Sequence, residues 1–107
     1  MSQLRKGVLE YCVLALLCDR PRYGVELLEA LADTPVMATS QGTLYPLLSR
    51  LRRSGLADTY LVESASGPSR RYYELTDQGR QALAEFSGHW PGFRDAVDRF
   101  LVSGAES

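Results

Sequence analysis

The stretch "QGTLYPLLSRLRRSGL", residues 41–56, sets the reading of the whole chain. Leu44, Leu47, Leu48 and Leu51 recur at helical spacing and form one apolar stripe, and Gly55 marks the helix end. The opposite face carries Gly42, Pro46, Ser49 and Arg53, flanked by Thr43 and Arg50 on one side and by Tyr45 and Arg52 on the other. Leucines inward with small, polar and basic groups outward suit a helix that closely approaches a phosphate-bearing surface. Pro46 constrains where the helix starts. A proline in a helix interior costs about 3 kcal/mol, so the helix begins shortly before it, with Ser40 or Thr43 as cap, or its first turns are kinked.

Upstream, "LRKGVLEYCVLALLCDRPRYG" predicts a helix from Leu4 to Cys18, apolar enough in its second half to be buried on most sides. "YGVELLEALAD" predicts a short second helix with Val25, Leu27, Leu28 and Leu31 inward and Glu26 and Glu29 outward, and "TPVMATSQG" breaks the pattern. Downstream of Gly55 the period changes. Leu56, Tyr60 and Val62, then Tyr72, Tyr73 and Leu75, lie in two β-prone runs around a polar "ESASGPSR" tip, a hairpin whose second strand leaves the tip at Arg70 and Arg71. Thr76 caps a final helix, with Asp77 in its first turn. The fold class is therefore α+β, mainly α: a winged helix-turn-helix over residues 1–75 followed by a C-terminal dimerisation helix over 76–107.

That last helix carries Leu83, Phe86, Trp90, Phe93, Val97 and Phe100, a 3-4-3-4-3 spacing that forms a coiled-coil seam and suits a dimer interface. The seam runs through "SGHWPGFRD", residues 87–95, without losing phase, although Pro91 and Gly92 interrupt the helix-forming residues. The expectation is an arm bent or broken near residues 90–92, with one helix from Thr76 to His89 and another from Pro91 to Val102. Either the bend fits the arm around its partner, or it lets occupancy beside Trp90 reset the spacing of two DNA-reading helices. The apolar first helix shares the interface.

With 107 residues, 45% hydrophobic and 23% charged, the chain falls among single globular domains rather than disordered or fibrous ones. Its net charge of −1 is unevenly spread. Residues 41–73 hold five arginines against Asp58 and Glu63, a local +3, while residues 74–107 stand at −3. Arginines gathered on one part of a near-neutral domain suit phosphate contact. Cys12 and Cys18 would lie about 9 Å apart along one helix and cannot bridge each other within it. They read as buried, reduced thiols of a cytoplasmic protein. Arg5 and Lys6 precede an apolar run, but Glu10 and the run's shortness argue against a cleaved signal or a membrane span. The sole histidine, His89, has no nucleophile signature beside it, and no glycine-rich phosphate loop is present, so the chain reads as no enzyme.

The dipeptide "YG" at 23–24, "QGTLYPLLSRLRRSGL" at 41–56 and "RRYYELTDQGR" at 70–80 resemble the PadR family of bacterial transcriptional regulators. The resemblance covers nearly the whole chain. Its most specific part is the Gly-Thr-Leu-Tyr-Pro run, while "YYELT" followed by "GR" is shared more widely among winged-helix regulators. A single helix after the wing is similar to the short PadR subfamily, whose members are typically homodimeric repressors, and the resemblance accounts for a proline early in the recognition helix. It implies double-stranded DNA as partner, in the form of a pseudo-palindromic operator, with a second copy of the chain. On that framework the DNA-contacting residues are Ser40, Gln41, Thr43, Tyr45, Ser49, Arg50 and Arg53 on the recognition helix and Arg70 and Arg71 on the wing. The alternative is a winged-helix protein-interaction module without specific DNA binding.

No cofactor is required by this reading, and two effectors are candidates. Multidrug-sensing members of the resembled family stack a flat aromatic molecule on a final-helix tryptophan of each subunit. Trp90, with Phe86 and Phe93, is the counterpart, unless these rings only fill the dimer core. The Pro91-Gly92 pair departs from that family's uninterrupted helix. Glu85 and His89, four residues apart, could offer two ligands to a divalent metal.

Overall fold

The leucine stripe of residues 44–51 lies at the centre of the molecule. The fold comes from a computed structural model that describes residues 2–106, and the side chains of residue 4 and residues 7–105. Helices α1 (Ser2–Asp19), α2 (Gly24–Ala32), α3 (Gln41–Arg53) and α4 (Asp77–Glu106) alternate with strands β1 (Arg22–Tyr23), β2 (Ala57–Ser64) and β3 (Gly67–Leu75). A short 3-10 turn at Pro35–Met37 joins α2 to α3. Leu44, Leu47, Leu48 and Leu51 of α3 are all buried, meeting Leu9, Val13, Leu14 and Leu17 of α1 and Leu27 and Leu31 of α2. Tyr73, Leu75 and Ala57 close the core from the sheet. The result is a mainly helical winged helix with a small antiparallel sheet of order β1-β3-β2.

α3 starts at Gln41 with Ser40 as its N-cap; the Ser40 carbonyl, not its hydroxyl, accepts the first helical bonds, from Thr43 N at 3.2 Å and Leu44 N at 2.9 Å. The helix passes through Pro46 without a break. At its other end Gly55 has φ +78°, Leu56 N donates to Leu51 O at 2.9 Å and Gly55 N to Arg52 O at 3.1 Å. That pair of bonds is a Schellman ending, in which glycine alone enters the left-handed region without steric cost. α4 is docked onto this turn: the Thr76 hydroxyl donates to Gly55 O at 2.6 Å and accepts from Gly79 N at 3.0 Å. Gly79 allows the approach, since a Cβ there would lie 2.8 Å from Leu75 Cδ1 and collide with the Leu56 carbonyl.

Several expectations are corrected. The hairpin tip is not the eight residues 63–70 but a tight turn, because strand pairing continues from Ala57↔Leu75 out to Ser64↔Gly67 with an irregularity between Val62 and Ser64. Arg70 and Arg71 consequently lie inside β3, opposite Val62 and Leu61, rather than at its exit from a loop. β1, absent from the sequence reading, adds Arg22↔Tyr73 and Tyr23↔Tyr72. Val25 points outward at 42% exposure, because α2 buries only the stripe through Gly24, Leu27 and Leu31, with Leu28 half-buried. Cys18 is exposed and Cys12 half-buried, where burial pushes the Cys12 thiol up; α1 is covered on one side only. Finally, α4 is one helix through Pro91 and Gly92, not two.

Candidate nucleic-acid interface

The outward face of α3 presents Gln41, Gly42, Tyr45, Pro46, Ser49, Arg50, Arg52 and Arg53 to solvent, with Ser40 exposed at the cap and Thr43 half-buried. Pro46 has no N–H to offer the Gly42 carbonyl one turn earlier, so the same face carries a bare acceptor near the helix start. Tyr45 leans off this face towards α2. Its ring occupies the space a side chain at Gly24 would fill, with Cε1 and Cζ 2.8 Å from where a Cβ would stand. Glycine at 24 and tyrosine at 45 are thus two halves of one contact.

The wing approaches the same place. The Arg70 guanidinium lies over the Tyr23 ring at 4.7 Å, and Arg71 donates to Thr59 Oγ1 at 3.3 Å. Tyr23 is held in turn by an edge contact with Tyr72, which stacks on Tyr60 across the hairpin. At the start of α2 the Glu26 carboxylate accepts from Tyr23 N at 3.2 Å and pairs with Arg20, fixing the strand-to-helix corner. Between these elements lies an open groove of about 340 Å³ lined by Tyr23, Gly24, Tyr45, Arg70 and Arg71. Of the residues expected from sequence, the structure brings Tyr45, Arg70 and Arg71 together there. Ser40, Gln41, Thr43, Ser49 and Arg53 sit along α3 and do not line the groove, and Arg50 turns to α1, its Nη2 3.9 Å from Glu10 Oε2.

Tyr23, Gly24 and Glu10 were missing from the sequence-derived set. "YG" was visible as a motif, yet nothing local tied it to Tyr45 twenty-one positions on. Glu10 offered no signal at all, being one acidic residue on an otherwise apolar helix.

A second cavity lies at the far side of α1. Phe86, His89, Trp90 and Phe93 of α4 face Leu4, Gly7 and Val8 across an apolar cleft of about 370 Å³. The rings are ordered as a stack: Phe86 to Trp90 at 5.5 Å, Trp90 to Phe93 at 6.2 Å, and Tyr11 of α1 on Phe86 at 4.0 Å and nearly parallel. Glu85 is exposed and does not line the cleft, so it and His89 are not drawn into one pocket. Among the described residues no group of three or more His, Cys, Asp or Glu side chains could hold a metal ion. No helix among them is long and apolar enough to cross a membrane.

Comparison with known proteins places this geometry. The model of the PadR-like family of transcriptional regulators matches residues 13–85. A PadR-like transcription factor from Bacteroides fragilis is 39% identical, covering 92% of this chain and 95% of its own, with a TM-score of 0.79. A PadR-like regulator from Bacillus cereus is 37% identical, covering 92% and 96%, with a TM-score of 0.81. A PadR family regulator from Eggerthella lenta is 36% identical, covering 92% and 86%, with a TM-score of 0.82.

Proposed function

The chain belongs to the PadR-like family of transcriptional regulators, a DNA-binding family and not one of enzymes, and from that premise we propose that it is a homodimeric repressor released by a flat aromatic effector. The observation that carries the reading is the groove in which Tyr45 of α3 and Arg70 and Arg71 of β3 converge beside the polar face of α3. A helix-turn-helix lays the start of its second helix in the major groove, where Gln41, Gly42 and Thr43 are small or polar enough for close approach. The wing arginines then take the flanking backbone, and Arg53 reaches a phosphate or a guanine edge. Two such heads about 34 Å apart read a pseudo-palindrome. The regulator acts in the cytoplasm.

The effector reading rests on the cleft. A wall of Phe86, Trp90 and Phe93 suits stacking of a planar ring, and its position between α1 and α4 lets an occupant set the angle between them. Zinc at Glu85 and His89 is the competing effector.

Binding to the duplex upstream of the chain's own coding region tests both parts. Wild type is expected to bind it in preference to random DNA and to lose affinity steeply as salt rises. Arg53→Ala with Arg70→Ala should weaken binding by about 2–6 kcal/mol in total. Addition of planar aromatic compounds should quench Trp90 and lower operator affinity together, while zinc should do neither. Wild type that does not distinguish the upstream duplex from random DNA defeats the specific-regulator reading and leaves a protein-interaction module.

A further inference from the structure

α1 delivers two neighbouring side chains to two different places. Glu10 reaches the recognition helix, its Oε2 3.9 Å from Arg50 Nη2. Tyr11 turns the other way and stacks on Phe86 at 4.0 Å, and Phe86 is a wall of the aromatic cleft. The Arg50 side chain is 52% exposed and that of Glu10 29%. The guanidinium is therefore open to an incoming anion while it already faces one of its own chain.

We infer that Glu10 is a built-in competitor of the DNA backbone for Arg50, and that α1 links this competition to the aromatic cleft through Tyr11. The inference rests on the DNA-binding reading above. A carboxylate and a phosphate oxygen pair ask for the same planar donor fork, and one arginine cannot serve both. When Arg50 turns to a phosphate, Glu10 loses its partner and stands as an uncompensated negative charge beside the DNA. The pair is long and part-exposed, so it is weak enough to exchange, as a gate must be. Because Glu10 and Tyr11 share one helical turn, a ring seated against Phe86 displaces both together.

The test is equilibrium binding of the full chain to a labelled random-sequence duplex over a salt series, for wild type, Glu10→Gln, Arg50→Gln and the double variant. Random DNA suffices, since the contact in question is to backbone. Glu10→Gln should bind roughly two- to fivefold tighter per protomer. Arg50→Gln should reduce the salt slope by about 0.9 per protomer, and Glu10→Gln should add nothing in that background. Equal tightening in both backgrounds would overturn the inference, because Glu10 would then act through net charge alone. Weaker binding by Glu10→Gln would overturn it too, making Glu10 a support that presents Arg50 to DNA. Trp90 emission reads the link to the cleft: duplex should shift it in wild type and not in Arg50→Gln, and a shift of equal size in both breaks that link. Wild type with no salt-dependent binding is a different failure, that of the DNA-binding reading itself.

Discussion

At the scale of single residues, the candidate interface depends on what is absent at position 24. Gly24 is buried, and the Tyr45 ring fills the volume where its Cβ would be. Alanine there must push the ring aside or shift the α2 corner, and overpacking of this kind costs about 1–3 kcal/mol. Gly24→Ala should accordingly lower the chemical-denaturation midpoint and weaken DNA binding, because a displaced Tyr45 no longer closes the groove with Arg70 and Arg71. Gly7→Ala is the control: nothing lies within 4 Å of a Cβ at that position, and its stability should not fall. The apolar side of this contact map was legible in sequence, as every leucine expected inside α3 is buried. The polar side was not. Helical spacing tells which face a residue occupies, but Arg50 meeting Glu10 and Arg70 meeting Tyr23 depend on how elements far apart in sequence are packed.

At the scale of elements, the two misread segments have related causes. Gly67, Pro68 and Ser69 are poor strand formers, which put the hairpin tip across them. They pair nonetheless, because β1 reaches only Tyr72 and Tyr73 and leaves one side of β3 open at Pro68, the setting in which a strand tolerates proline. In α4 the penalty at Pro91 was weighed without its alternative. A break creates two new helix ends, each with four backbone groups to satisfy, and it abandons the phase of the apolar seam. Keeping Pro91 sacrifices one hydrogen bond on a fully exposed turn. Since the helix bears that cost without an evident local return, Pro91→Ala should raise stability by up to about 3 kcal/mol, seen as a higher melting temperature and more helical circular dichroism. Should operator affinity also cease to respond to aromatic compounds in that variant, the proline serves as a point of give within the arm.

At the scale of the whole molecule, the decisive feature is an arm that extends well beyond the body it starts from. The chain measures 62 × 27 × 21 Å, and every described side chain from Pro91 to Ala105 is exposed. Phe93 at 65%, Phe100 at 76% and Leu101 at 65% make this an apolar surface that water disfavours and that a small monomer is poorly placed to carry. A second copy is the economical cover, because a two-fold axis sets the same seam against itself and brings both recognition helices to one side. Sedimentation of the wild-type protein should therefore give twice the chain mass of 11.9 kDa. Val97→Asp with Phe100→Asp should dissociate it, since burying unpaired carboxylates costs several kcal/mol. Neither residue belongs to the core of the winged helix, so the separated protomer should keep its cooperative unfolding transition. It should also lose most of its affinity for a two-half-site operator while retaining weak, salt-sensitive binding to random DNA, because the reading head survives and only the fixed spacing between two heads is gone. A wild-type monomer at micromolar concentration would leave the exposed seam unexplained and remove the basis for reading a pseudo-palindrome.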